Sequence, residues 1–126
     1  MANTIAVIGA STDRSKFGNK AVRAYKDEGW TVYPVNPKGG EIEGLNALTS
    51  IDDVPDGVDR VSMYLPPKVG LGMLDAIAAK HPKEVWFNPG SESDEVLQAA
   101  RDKGLNPIAH CSIVAIGRSP AQYPAE

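Results

Sequence analysis

One cysteine, Cys111, is all the thiol this 126-residue chain has. That excludes an internal disulfide, a zinc ribbon and any multi-cysteine cluster. Histidine is almost as scarce, and aromatic residues make up only 6%. No apolar run reaches the length of a membrane-spanning helix, so no membrane association is expected. Positive charge is not in excess: 13 Lys and Arg stand against 16 Asp and Glu, for a net charge of −3. A general nucleic-acid binder needs the opposite balance. Met1-Ala2-Asn3-Thr4 runs into an apolar segment with no basic flank or cleavage site, so no secretory signal is expected. With a lone thiol, the expected compartment is the cytoplasm.

What remains is an ordinary globular composition, 42% hydrophobic and 23% charged, at a length that suits one domain. Residues 4–8 are short, β-branched and apolar on both faces, the pattern of a buried parallel strand. Residues 17–28 carry Phe17, Ala21, Val22 and Tyr25 at helical spacing and end at Gly29. Strands are predicted at 30–35, 60–65, 84–88 and 107–110, with a short sixth at 113–116. Residues 36–51 read as an irregular loop, with one helical turn near 51–54. Pro66-Pro67 opens a helix expected to run to about Lys80, although Gly70 and Gly72 weaken its start. Ser91 or Ser93 caps another helix, with Glu92, Asp94 and Glu95 placed to suit its dipole. The order predicts an α/β fold: a Rossmann-like three-layer sandwich around a mainly parallel five- or six-stranded sheet. The domain is expected over 1–117, followed by a mobile, proline- and alanine-rich tail over 118–126.

In such a sheet, ligands meet the carboxyl ends of the strands, and four segments fall there. The first is Gly9-Ala10-Ser11 with Arg14, Lys16 and Gly18 following. Gly9 permits a tight turn, Gly18 a close helix–sheet approach, and Ser11 offers a hydroxyl to a phosphate at the helix N-terminus. The dinucleotide fingerprint Gly-x-Gly-x-x-Gly is not met, because Ser11 stands at its second glycine. The second is Asn36-Pro37-Lys38, where an NAD-binding protein usually carries an acid for the ribose. A cation here favours a ribose bearing an extra phosphate, as in NADP or coenzyme A. The third is Met63-Tyr64-Leu65-Pro66-Pro67, an apolar strand end whose prolines make a stiff wall. The fourth is Asn88-Pro89-Gly90. Each segment also has a plain structural reading as a turn or a helix start. No catalytic constellation and no metal-ligand spacing is evident. His110 and Cys111 are neighbours on a predicted strand, so they point to opposite faces and form no nucleophile pair.

Residues 5–11, Lys16, Gly18, the Val32–Lys38 block, residues 83–90 and the approach to Cys111 resemble the small single-domain CoA-binding proteins. These are similar to the N-terminal domain of the succinyl-CoA synthetase α subunit. The resemblance covers about residues 3–117. Tyr64-Leu65-Pro66-Pro67 follows the synthetase domain more than the small proteins, and Ala109-His110 departs from the Asp-Arg pair common before the late cysteine.

The resemblance implies a Rossmann-like domain holding CoA, with the pyrophosphate at Ser11 and its turn, assisted by Lys16 and Arg14. Asn36, Pro37 and Lys38 would border the adenosine and its 3′-phosphate. Leu65, Pro66 and Pro67 would line the pantetheine arm, with Asn88, Pro89 and Gly90 near its far end. The expected function is binding of CoA or an acyl-CoA without catalysis of its own. The alternatives are an NADP-dependent oxidoreductase, one subunit of a split acyl-CoA ligase, and an interaction module that has lost its ligand. An exposed sheet edge leaves room for a protein partner or a homodimer. A mixed disulfide between Cys111 and CoA is weighed against an inert, buried thiol.

Overall fold

Along the first strand, alternate residues serve different cores. Ile5 and Val7 pack with the first helix, while Ala6 and Ile8 pack with the later ones, and all four are fully buried. Both faces of the strand are thus covered, as its unbroken apolar run requires. The computed structural model describes residues 3–125. The signal-peptide expectation at Met1 and Ala2, and the last residue of the expected tail, lie outside the described residues.

In chain order the elements are β1 (Thr4–Ile8), α1 (Phe17–Asp27), β2 (Thr31–Val35), β3 (Glu41–Ile42), β4 (Leu45–Asn46), β5 (Arg60–Met63), α2 (Pro67–Leu71), α3 (Leu74–Ala78), β6 (Glu84–Phe87), α4 (Asp94–Asp102) and β7 (Pro107–Ala109). Five strands form one sheet in the order β2-β1-β5-β6-β7, and every pairing is parallel. The fold is α/β and Rossmann-like, as expected. The chain runs outward in one direction from β1 to β2, then in the other through β5, β6 and β7. The order therefore reverses between β1 and β5, and a crevice opens there at the carboxyl ends. Among the described residues, no helix is long and apolar enough to cross a membrane.

Helix α1 buries Ala21, Val22, Ala24 and Tyr25 against the sheet. The Tyr25 ring meets the Trp30 ring edge-on at 4.8 Å. On the other face, Leu74, Ile77, Phe87 and Val96 close the second core. Each such large side chain contributes roughly 2 kcal/mol by leaving water. Ser93 caps α4 by accepting from the Val96 N–H at 3.1 Å.

Several local expectations are corrected. Residues 36–51 are not a simple loop: β3 and β4 form a small antiparallel hairpin turning at Glu43 and Gly44, both at positive φ. That is the backbone of a two-residue hairpin turn. Glu43 holds the hairpin to α1 by accepting from the Asn19 amide at 3.0 Å and pairing with Arg14. The single helix expected up to Lys80 is two, α2 and α3, broken at Gly72 and Met73. Residues 113–116 are no strand. Val114–Ile116 is a 3-10 turn stopped by Gly117 at φ 76°, and Ile113 is core. Phe17, at helical spacing with Ala21, Val22 and Tyr25, is 57% exposed, because it opens the helix above the crevice rather than over the sheet.

The segment read as a tail is held to the domain at Tyr123 and Pro124. Tyr123 is buried, and Arg23 donates to the carbonyls of Tyr123, Pro124 and Arg14 at 2.9–3.1 Å. One guanidinium thus fastens the C-terminal segment to the loop after β1.

Candidate functional site

Where the sheet order reverses, a cleft of about 490 Å³ opens at the carboxyl ends of β1, β2, β5 and β6. From the β2 side its wall is Asn36 and Pro37, then Gly9, Ala10 and Ser11 with Lys16, Phe17 and Gly18 above them. It continues through Tyr64, Leu65 and Pro66 to Pro89, Gly90 and Ser91.

Two glycines make this cleft. Gly9 turns the chain at φ 90°, and a Cβ there would meet the Tyr64 carbonyl oxygen at 3.2 Å. Gly18 has ordinary helical geometry, but a Cβ on it would lie 2.3 Å from the Gly9 carbonyl oxygen. The first turn of α1 therefore sits directly on the end of β1. No side chain caps α1, and its first turn holds no acid. Its first N–H groups, at Phe17 and Gly18 beside Lys16, form a positive end, while that of Asn19 bonds the Lys16 carbonyl at 3.1 Å. The loop before it is braced from within. Ser11 Oγ accepts from the Asp13 N–H at 3.0 Å, which leaves the hydroxyl its own proton to donate. Asp13 accepts from the N–H and hydroxyl of Ser15, and these bonds hold its carboxyl below the usual range.

Asn36 has an internal reason not to be an acid. Its amide nitrogen donates to the Ala10 carbonyl at 2.8 Å, and its amide oxygen accepts from the Lys38 N–H at 2.8 Å. An aspartate there would set a carboxylate against a carbonyl, so the residue that removes the ribose acid also ties β2 to the first loop.

The structure brings Gly9, Ser11, Lys16, Gly18, Asn36, Pro37, Leu65, Pro66, Pro89 and Gly90 to this one cleft. Lys38 is exposed one residue beyond Pro37, and Pro67 begins α2 just past the wall. Arg14 points to the Glu43 carboxylate, 3.3 Å away, on the hairpin side of the loop. Asn88 lies beneath the cleft at 2% exposure. Its amide nitrogen donates to Ser62 Oγ and the Met63 carbonyl, and its oxygen accepts from the Ser112 N–H, all at 2.8–2.9 Å. Cys111 is half-buried, packs against the α1-side core and is not part of the cleft wall.

Tyr64 belongs to the wall segment expected after the third strand, but neither it nor Phe17 was expected as a ligand contact. Their position next to Lys16 and Leu65 was the available signal. Tyr64 also roots the wall: its hydroxyl is 3.3 Å from Ser112 Oγ, which is 2.8 Å from Ser62 Oγ. Burial pushes the Tyr64 phenol far above its ordinary value, against smaller opposing effects of Ser112 and Ser62. Burial raises Tyr25 as well, opposed by its bond from Arg60. Both phenols hold their protons more tightly folded than unfolded. Their contribution to stability is full below about pH 10 and is lost as pH rises above it. Urea unfolding between neutral and strongly alkaline pH should show that decline, and Tyr64→Phe should make it shallower.

The residues that form this cleft lie within a match to the family model of the CoA binding domain, which spans residues 3–117. The chain belongs to this family. It is 40% identical over 108 residues to the α subunit of the ADP-forming acetate–CoA ligase II of Pyrococcus furiosus, covering 84% of this chain and 24% of that subunit. A conserved hypothetical protein from Pyrococcus furiosus shares the fold at a TM-score of 0.82 and 34% identity, over 90% of this chain and 98% of that one. The acetyl-coenzyme A synthetase 1 of Ca. Korarchaeum cryptofilum matches at a TM-score of 0.74 and 30% identity, over 86% of this chain and 25% of that one. The chain thus spans about a quarter of these ligases.

Proposed function

We propose that this protein binds coenzyme A or an acyl-CoA in the cleft at the carboxyl ends of β1, β2, β5 and β6, without catalysis of its own. The observation that carries the reading is the pairing of two unlike surfaces in one cleft. The uncapped N-terminus of α1, with Lys16 and Ser11, suits a pyrophosphate, and Tyr64, Leu65 and Pro66 form an adjoining apolar wall. CoA joins those chemistries: a phosphorylated nucleotide continues into a long, uncharged, amide-containing arm. Asn36 removes the acid that would favour NAD, and Lys38 stands ready for the 3′-phosphate just outside the wall.

Thermal unfolding with CoA, acetyl-CoA, dephospho-CoA, NAD and NADP in parallel tests this. A ligand at a hundredfold excess over its dissociation constant adds about 2.7 kcal/mol of stability. CoA should raise the midpoint most, and dephospho-CoA should bind about fivefold more weakly, the worth of one exposed charge contact. Lys38→Ala should abolish that difference. A shift with NADP alone would transfer the site to redox chemistry, and no shift with any of them would leave a scaffold without this ligand.

The match to ligase α subunits favours a second reading, in which the domain serves a split acyl-CoA ligase. It requires a partner that supplies the remaining ligase domains. Co-purification of such a partner, with ADP-dependent turnover of acyl-CoA by the pair, would support it.

A further inference from the structure

The two ends of the cleft carry opposite charge. At the α1 end, Lys16 and the uncapped first turn attract anions. At the β6 end a carboxylate meets the one wall N–H that carries a side-chain acceptor. The Gly90 N–H, in the cleft wall, donates to the Glu92 carboxylate at 3.2 Å, and the first turn of α4 is capped by Ser93. Glu92 is exposed at that rim, and Asp94 and Glu95 follow it. The sheet order sets the direction of a bound ligand. With its phosphates at α1, above β1, the rest of the molecule passes Tyr64 to Pro66 after β5 and ends at Pro89 to Ser91 after β6.

We infer that Glu92 makes the cleft selective for CoA or CoA thioesters with uncharged acyl groups, and that it rejects acyl groups ending in a carboxylate. The inference rests on the proposed CoA reading and specifies its ligand class. The device is repulsive: a like charge held at the point where the acyl group emerges. Of the donors at this end, the Gly90 N–H in the wall is occupied by Glu92 and the Val96 N–H by Ser93. Two charges about 4 Å apart in water repel enough to weaken binding about fivefold.

The test is calorimetric titration of the intact protein with CoA, butyryl-CoA and succinyl-CoA, the two esters having acyl chains of equal length. Butyryl-CoA should bind about fivefold more tightly than succinyl-CoA, and the gap should narrow at high salt. Glu92→Gln keeps an acceptor for the Gly90 N–H and should bring the two esters together while leaving CoA affinity unchanged. Equal binding of the two esters to the unaltered protein overturns the inference, as does a gap that Glu92→Gln leaves intact. Failure of CoA itself to bind overturns the reading beneath it, and that result is distinct from CoA binding without discrimination between the esters.

Discussion

Gly18→Ala is expected to lower stability by about 3 kcal/mol, although alanine is ordinarily the better helix former by about 1 kcal/mol. The reason is a single distance. The added methyl would sit 2.3 Å from the Gly9 carbonyl oxygen, and the atom it meets is backbone. Neither partner can turn aside: Gly9 is fixed by the turn at φ 90°, and α1 is pinned to the sheet by Ala21, Val22 and Tyr25. Relief requires lifting the first turn of α1 off β1, which also moves Lys16 and the leading N–H groups out of the cleft. Ligand binding should therefore fall with stability. Gly72→Ala is the control. Gly72 has helical geometry, and a Cβ there would meet nothing closer than 3.6 Å. It should be neutral or stabilising by up to about 1 kcal/mol. Urea unfolding of the two variants decides the matter. Equal effects would contradict the close approach of α1 to β1.

Asn88→Ala is expected to cost a similar amount, about 3 kcal/mol, for a different reason. The side chain joins β5, β6 and the segment after β7 by bonding Ser62, Met63 and Ser112. Alanine strands the Ser112 N–H in the interior and opens a void beside it. Ser112 also carries the Tyr64 contact, so the cleft wall loses its root. Asn88→Asp should be at least as damaging, since it replaces a donor facing the Met63 carbonyl with a buried carboxylate. Chemical unfolding reads the loss. A variant of full stability with weakened ligand binding would instead make Asn88 a ligand contact.

These two residues show what is legible in a sequence and what is not. The strand Thr4–Ile8 and the helix opened by Ser93 could be read because their patterns are local: an unbroken β-branched run, and a cap followed by acids. Gly18 could be read as a close-packing glycine because it opens a helix after a strand-to-turn signal, although it comes later than the fingerprint's last glycine. The hairpin was hidden because Glu43-Gly44 is a weak turn signal and each of its strands has only two residues. It is held by long-range bonds to Arg14 and Asn19, which no local window contains. Asn88 looked like a ligand residue because it follows a strand at the ligand edge. Its partners are 24 to 26 residues away in the chain, so its structural use shows only in three dimensions. The segment after Arg118 looked mobile by composition, yet Arg23 and the buried Tyr123 anchor it.

The proposed CoA site is the cleft at the carboxyl ends of the strands. Backbone amide NMR during a CoA titration tests it most directly. Saturable shifts are expected at Gly9, Ser11, Gly18 and Gly90, with little change at Lys83 and Asn106 on the amino-terminal edge of the sheet. Shifts concentrated at that far edge, or none at saturating CoA, would contradict it.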